Sequence, residues 1–385
     1  MILRKLTDSD SREHNKVAAQ AYAFGCDIDG NAHLTGAQVI GAFDGENLMA
    51  DMCITDAENY FEGSVLSCAG VGGVASKPEY RNRGAVRKLF DAFFDGELLD
   101  KKYDISILYP FSEAYYRKFG YEVMSKSLEL TVPFKELSTI PRNSDVELFD
   151  GSNTEKLCNL YNAAASKFNL AFKRDGNCGF SDKPYQDARY TYMWKNADGE
   201  VRSLANFSVD RPNKIIYVYE IYYLDRESLW GILGFLRNYE GNQETVIFKK
   251  LPLNTPVLNC ISNEKPIVQQ GFNMGCARII DIESVLNKKK YPDGHGSFTL
   301  QITGDTVEAN NSVFSVEYEN GKGEIKRTQS EADFILEPCA AAKIILSGIA
   351  GADAFEYLSG AEMVNCNWDF FKAFNVRNTF FCDGF

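Results

Sequence analysis

The stretch "VASKPEYRNRGAVRKLF" (74–90) limits the fold more than any other part of the chain. A strand, "VLSCAGVGGVAS" (65–76), runs into it, Pro78 turns the chain, and Arg81-Asn82-Arg83-Gly84 leads directly into a helix. Val86, Leu89, Phe90 and Phe93 recur at i, i+3, i+4 and i+7, so the spacing predicts an amphipathic helix over 84–100. The first N–H groups of a helix have no intrahelical partner and lie at the positive end of its dipole. Gly84 lacks a Cβ, so a ligand can approach that backbone closely. Arg81, Arg83 and Arg87 add positive charge around the same turn. Together these make an anion site, and a pyrophosphate is the anion best matched to successive N–H groups. No Gly-Lys-Ser/Thr follows to make a Walker loop, and the dinucleotide fingerprint G-x-G-x-x-G is absent.

Around this segment the chain reads as α+β. Residues 11–24 form a helix, and "QVIGAFDGENLMADMCITDAENY" alternates about Asp44-Gly45 as a hairpin. "YDISILYPF" is a strand, "SEAYYRKFG" a short helix, and "YEVMSKSLELTVPF" an alternating strand that closes the region near Pro133. "STIPRNSD" (138–145) has linker composition. A second α/β stretch follows, with helices over 153–168 and 226–239 and strands at "RSLANFSVD", "KIIYVYEIYYL" and "TVIFKKL". A third begins near Asp281, with antiparallel strands at "GSFTLQITGD" and "NSVFSVEYENGKGEIKRT" and helices over 331–361 broken by Gly348, Gly351 and Gly360. A chain of 385 residues is too long for one ordinary core, and three units are expected: 1–137, 138–280 and 281–385.

Composition removes several classes of function. The ten cysteines are scattered without a CxxC pair and away from the three histidines, which argues against structural zinc, any bound metal and a disulfide framework. The start turns polar within a few residues, and no apolar run nears the roughly 18–20 residues that span a bilayer. A soluble protein of the reducing cytoplasm is expected. A net charge of −12 disfavours nucleic acid and suits a cationic small molecule if the acid lines a cleft.

R-x-x-G after a strand and a proline turn resembles the acetyl-coenzyme A signature of the GCN5-related N-acetyltransferases. The resemblance implies that Arg81, Asn82, Arg83, Gly84, Ala85, Val86 and Arg87 hold the coenzyme A pyrophosphate. It also implies that the preceding strand pairs with the pantetheine arm, and that N–H groups among Val74, Ala75 and Ser76 meet the acetyl carbonyl. Val86 departs from the pattern, which has Gly or Ala there, and would narrow the approach unless it points into the core. The next segment, "SILYPFSEAYYRKFGYE" (106–122), would supply Phe111 and Ser112 to the coenzyme slot and a tyrosine to protonate the departing thiolate. Tyr109, Tyr115, Tyr116 and Tyr121 all compete for that role. "YYRKFGYE" closely resembles the "IYGRFGYG"-type stretch of the enhanced intracellular survival (Eis) family, and by that pattern the general acid is Tyr116.

The Eis resemblance implies three parts: an acetyltransferase lobe, a second lobe of that fold without a working coenzyme site, and a domain like sterol carrier protein. Between 141 and 280 no R-x-x-G turn opens a helix, which fits an inactive second lobe. "MGCARIIDIESVL" (274–286) resembles that family's lead into the third domain. The resemblance further implies a homo-oligomer, such as a hexamer, and as acceptors aminoglycosides, polyamines or lysine side chains.

A base must take the proton of the attacking amine. His14, His33 and His295 all stand away from the motif and read as surface residues, while Asp27, Asp29 and Glu62 cannot be placed from sequence. In the Eis family the carboxylate of a terminal Phe is the base, and the resemblance assigns that role to Phe385. An α-carboxyl of pKa about 3.5 is a weak base, so burial or a relaying water would have to help. Transfer is expected to be direct, without an acyl-cysteine on Cys68. Two other readings compete: a lipid or small-ligand carrier with a vestigial enzyme lobe, and a scaffold that binds acetyl-coenzyme A without turnover.

Overall fold

The computed structural model describes residues 1–30, 37–96, 98–99, 101–152, 154–176, 179–381 and 383–384. His33, Cys178, Cys382 and Phe385 lie outside the described residues. The chain begins with β1 (Ile2–Lys5), α1 (Ser11–Tyr22), β2 (Ala37–Asp44), β3 (Asn47–Phe61), β4 (Ser64–Ser76), α2 (Ala85–Asp95), β5 (Ile105–Leu108), α3 (Glu113–Arg117) and β6 (Glu122–Val123). It continues with β7 (Lys126–Pro133), β8 (Val146–Leu148), α4 (Thr154–Ala165), α5 (Pro184–Asp187), β9 (Tyr190–Lys195), β10 (Val201–Asp210), β11 (Ile215–Tyr223), α6 (Arg226–Leu236), β12 (Thr245–Pro252) and β13 (Val268–Asn273). The last part holds β14 (Cys276–Ile279), α7 (Ile282–Lys288), β15 (His295–Ile302), β16 (Val313–Glu319), β17 (Lys322–Thr328), β18 (Phe334–Leu336), α8 (Pro338–Ser347), α9 (Ala352–Glu356), β19 (Ala361–Met363) and α10 (Trp368–Ala373).

These elements form three sheets in two compact units, a mixed α+β architecture. One unit comprises Met1–Met124, Gly275–Arg377 and the residues from Asp383 onward, and the other Ser125–Met274 with Asn378–Cys382. The first unit holds a sheet ordered β1-β2-β3-β4-β5-β14-β6 and a second ordered β17-β16-β15-β18-β19. The other unit holds β13-β7-β12-β11-β10-β9-β8.

Sequence reading placed 126–133 in the first lobe, but β7 pairs with β12 and β13 in the other unit's sheet. Its alternation sends Leu128, Leu130 and Val132 into that unit's core. In return, β14 comes back between β5 and β6 of the first sheet. Neither exchange leaves a mark in local periodicity, because pairing partners are chosen by tertiary context. The helix expected over 84–100 stops at Asp95, where Gly96 takes φ +72 and its N–H closes on the Phe93 carbonyl. Within 331–361, the expected helices share the segment with β18, parallel to β15, and β19, antiparallel to β18.

Within the first unit, ion pairs join its two sheets. Arg278 of β14 is 1% exposed; it pairs with buried Asp305, donates to the Phe119 carbonyl and lies 3.8 Å over the Phe94 ring. Lys289 lies 2.8 Å from Glu62, which also meets Arg377 at 3.1 Å, and Lys288 lies 2.6 Å from Asp104. The face of β15 and β18 is filled by Phe298, Phe334, Phe355, Phe370 and Phe374, with Phe334 and Phe370 stacked at 3.8 Å. Breaking a buried pair by removing one partner strands the other charge, at about 3–5 kcal/mol. Asp305→Ala should therefore lower the free energy of unfolding by roughly that amount, read from the denaturant midpoint, whereas Lys326→Ala, from an exposed pair with Glu324, should leave the midpoint essentially where it was.

Candidate active site

β4 is longer than its neighbour. It pairs with β5 in parallel from Cys68–Ile105 to Val71–Leu108, and the pairing ends there. From Gly72 to Ser76, β3 is the only strand paired with β4 among the described residues. Between the Cys53–Gly72 and Asp51–Ala75 pairs, Met52 faces both Gly73 and Val74, and Gly73 takes φ +58. This is a bulge opened by a left-handed glycine, a device that re-aims backbone groups. Val74, Ala75 and Ser76 thus close a strand whose far edge is left without a sheet partner. Backbone groups on such an edge need partners once covered, and an extended amide chain can supply them.

The strand runs directly into the arginine turn. Lys77 is buried, its N–H donates to the Met49 carbonyl at 3.0 Å, and its Nζ lies 2.6 Å from Glu13 of α1. Arg81, Asn82 and Arg83 are exposed, with the Arg83 guanidinium 5.1 Å over the Tyr80 ring. Gly84 takes φ +78, and a Cβ there would meet no atom within 4 Å. The glycine is thus demanded by backbone conformation, and the space before α2 stays open. Ala85 is buried, Arg87 is exposed, and Val86 packs half-buried against the core of the first sheet. Its branched side chain is therefore engaged with the core. Three arginines beside an uncapped helix start suit a pyrophosphate.

At the end of β5, Phe111 is 77% exposed and the Ser112 hydroxyl accepts from the Tyr115 N–H at 3.3 Å, capping α3. Tyr116 is 4% exposed, its ring set against Phe90, Phe111, Tyr115 and Tyr121. Burial pushes its hydroxyl well above the ordinary phenol range, and the neighbouring Tyr22 and Tyr115 push the same way. Such a group stays protonated and can only donate. Tyr121 is fully buried and shares a hydrogen bond with Ser106 at 2.7 Å, and Phe119 stacks on Phe90 at 4.2 Å. The hydroxyl of Tyr109 donates to the Asp383 carbonyl at 2.5 Å, two residues short of Phe385.

Two groups escaped sequence reading. Tyr22, the last residue of α1, donates from its hydroxyl to the Val74 carbonyl at 3.4 Å, at the bulge itself. His14, expected at the surface, is half-buried, with Nδ1 2.8 Å from the carboxylate of buried Asp51. An aspartate inside the apolar run "LMADMCIT" was the available signal. The other acid–base candidates are occupied. Glu62 belongs to the ion cluster with Lys289 and Arg377, Asp29 lies 2.9 Å from Arg12, and the Asp27 carboxylate accepts from the Asp29 N–H at 3.1 Å. His295 is exposed at the start of β15. Cys68 is buried, with its thiol pushed far up, and burial pushes the Cys53 thiol up to about 11, so neither is an activated nucleophile.

Residues 3–124 match the acetyltransferase (GNAT) domain family. This segment is a GNAT acetyltransferase domain. No curated protein matches the sequence. Across the whole chain the fold is that of several solved structures. A probable N-acyltransferase from Enterococcus faecalis superposes with a TM-score of 0.84 at 16% identity, over 100% of this chain and 99% of its own. A GCN5-related N-acetyltransferase from Anabaena variabilis gives 0.83 at 17% identity, over 100% of both chains. Eis1 from Mycobacterium abscessus gives 0.82 at 15% identity, again over 100% of both. Among the described residues of the chain, no helix is long and apolar enough to cross a membrane.

The His14–Asp51 pair carries a pH signature. The hydrogen bond to Asp51 raises the imidazole pKa above its ordinary 6.5, outweighing burial. A raised folded pKa contributes stability fully present below the unfolded pKa and lost as pH rises through the folded one. His14→Gln should thus cost more stability at pH 5.5 than at pH 8.5; equal costs at both would mean that the ring is neutral throughout.

Proposed function

We propose that this chain transfers acetyl from acetyl-coenzyme A directly to a primary amine of a cationic acceptor, such as an aminoglycoside, a polyamine or a lysine side chain. The observation that carries the reading is the end of β4 beyond its pairing with β5, bulged at Gly73–Val74 and leading into the open start of α2. In this reading Arg81, Asn82, Arg83, Gly84, Ala85, Val86 and Arg87 seat the pyrophosphate. Val74, Ala75 and Ser76, with Phe111 and Ser112, line the pantetheine and acetyl end. Tyr116 donates its proton to the departing thiolate; its burial keeps the hydroxyl protonated and ready to donate. The α-carboxylate of Phe385 accepts the proton of the amine, directly or through water. Support for that last role comes from Tyr109, which holds the Asp383 carbonyl at the end of β5.

The same reading makes 1–137, apart from β7 in the other unit's sheet, the coenzyme-binding lobe, 138–280 a second acetyltransferase-like lobe without a coenzyme seat, and 281–385 a part like sterol carrier protein. A lipid-carrier role for the last part receives no support from its sheet, whose face is packed with phenylalanines.

Tyr116→Phe should lower kcat by about 10²–10⁴-fold, the usual worth of a general acid, with coenzyme A affinity unchanged within about twofold. One residue added after Phe385 should likewise depress turnover on an amine panel while calorimetry still detects coenzyme A. If both variants keep the wild-type rate, the assigned roles are wrong. Gly84→Ala should cost about 1–2 kcal/mol of stability from the left-handed backbone alone, since its methyl meets no atom, and should weaken coenzyme A binding.

A further inference from the structure

The other unit contains a second parallel strand pair that separates, and a cavity fills the gap. β11 and β12 pair from Ile215–Thr245 to Val218–Phe248 and then part. Between their ends lies a cavity of about 640 Å³, walled by Ile221, Tyr223, Leu229, Trp230, Leu251 and Phe381. That volume falls within the roughly 300–1,000 Å³ of small-molecule sites. Ile221, Leu229, Leu251 and Phe381 are buried, so the floor is apolar, and Tyr223 and Trp230 give aromatic walls.

The start of α6 is unlike the start of α2 and offers no seat for a pyrophosphate. α6 follows β11 after two residues, and Asp225 occupies its N-terminus, accepting from the Ser228 N–H at 2.8 Å. Arg202, also paired with that carboxylate, holds it down to about 2. A phosphate would meet a fixed negative charge where the first unit has three arginines.

The rim has the opposite character. Lys167, Arg226 and Lys250 line the cavity, and its two carboxylates are met by arginines from outside it, Glu220 by Arg174 at 2.9 Å and Asp225 by Arg202. The Arg226 guanidinium lies 4.5 Å over the Trp230 ring, carrying a positive charge along the aromatic wall. An apolar floor, aromatic walls and a cationic rim select for one ligand chemistry. We propose that this cavity binds an amphipathic organic anion, with an aromatic or medium-chain aliphatic body inside and a single carboxylate or sulfonate at the rim.

The test titrates full-length protein with 1-anilinonaphthalene-8-sulfonate, following dye fluorescence and tryptophan quenching. Saturable one-to-one binding is expected, displaced by decanoate and at least tenfold less well by decanol. Acetyl-coenzyme A should leave the dye in place. Arg226→Glu should weaken the dye at least tenfold without unfolding the protein, because a glutamate suits the first turn of a helix. Ala164→Trp, which fills the floor, should abolish binding in a protein whose circular dichroism is native. Displacement by acetyl-coenzyme A, equal displacement by decanol, or full binding in a folded Ala164→Trp variant would each overturn the proposal. Should Ala164→Trp fail to fold, Arg226→Glu and the decanoate–decanol comparison decide it.

Discussion

A parallel strand pair that stops after four residues occurs twice in this chain, and both proposed sites are built on it. Sheet strands twist relative to one another, and two parallel neighbours without a hairpin between them are free to separate once pairing ends. The β4–β5 pair ends at Val71–Leu108 and the β11–β12 pair at Val218–Phe248. Each pair is followed by a helix, α2 after β4 and α6 after β11, and the two helix starts differ in character. α2 begins at a left-handed glycine with open space and three arginines nearby. α6 begins at an aspartate that satisfies its own helix and pairs with Arg202. The same strand geometry is thus followed by a cationic, uncapped helix start in one unit and by an apolar cavity in the other.

The two sheets of the first unit are joined in part by buried charge. Arg278 stands in β14, a strand that enters the first sheet after 150 residues of the other unit have been traversed. Its guanidinium joins Asp305, Thr306 and the Phe119 carbonyl just after α3, and leaves Gly120 no room for a Cβ: Arg278 Nη1 would lie 2.5 Å away. The turn that positions Tyr116 and Tyr121 is therefore braced by a residue far away in sequence. Buried ion pairs are weak sources of net stability, but they penalise wrong arrangements heavily. That property suits a pairing that must bring distant segments into one register.

Much of this arrangement was legible in the residues. The strand, the proline turn, the arginines and Gly84 stand within seventeen consecutive positions, and local spacing suffices to read them. The helix and strand types along the first lobe followed from period and turn chemistry. The exchange of β7 and β14 between sheets was not legible, because both are ordinary strands and their partners lie more than a hundred residues away. The Gly73 bulge was hidden for a related reason: "VGGVAS" reads as a strand with small residues, and only the register against Met52 reveals the extra residue. Tyr22 and the His14–Asp51 pair required knowing that α1 lies against β3 and β4. A polar residue inside an apolar strand was a hint, but it did not name its partner.

The proton inventory of the proposed reaction sharpens what the chain must supply. An alkylammonium near pKa 10.4 and an α-carboxyl near 3.5 differ by about 7 units, so direct proton transfer before attack would be uphill by roughly 9 kcal/mol. A terminal carboxylate is therefore a poor agent for neutralising a free lysine-like amine. It is a good one for holding a cation in place, and for taking the proton once the nitrogen has attacked and become far more acidic. Tyr116, buried and held in its neutral form, is limited to donation. His14, raised by Asp51, is better matched to an amine, yet its ring is tied through Nδ1 to the sheet beneath α1. In the proposed reaction, donation therefore falls to Tyr116, and the acceptor amine must arrive already neutral from solvent.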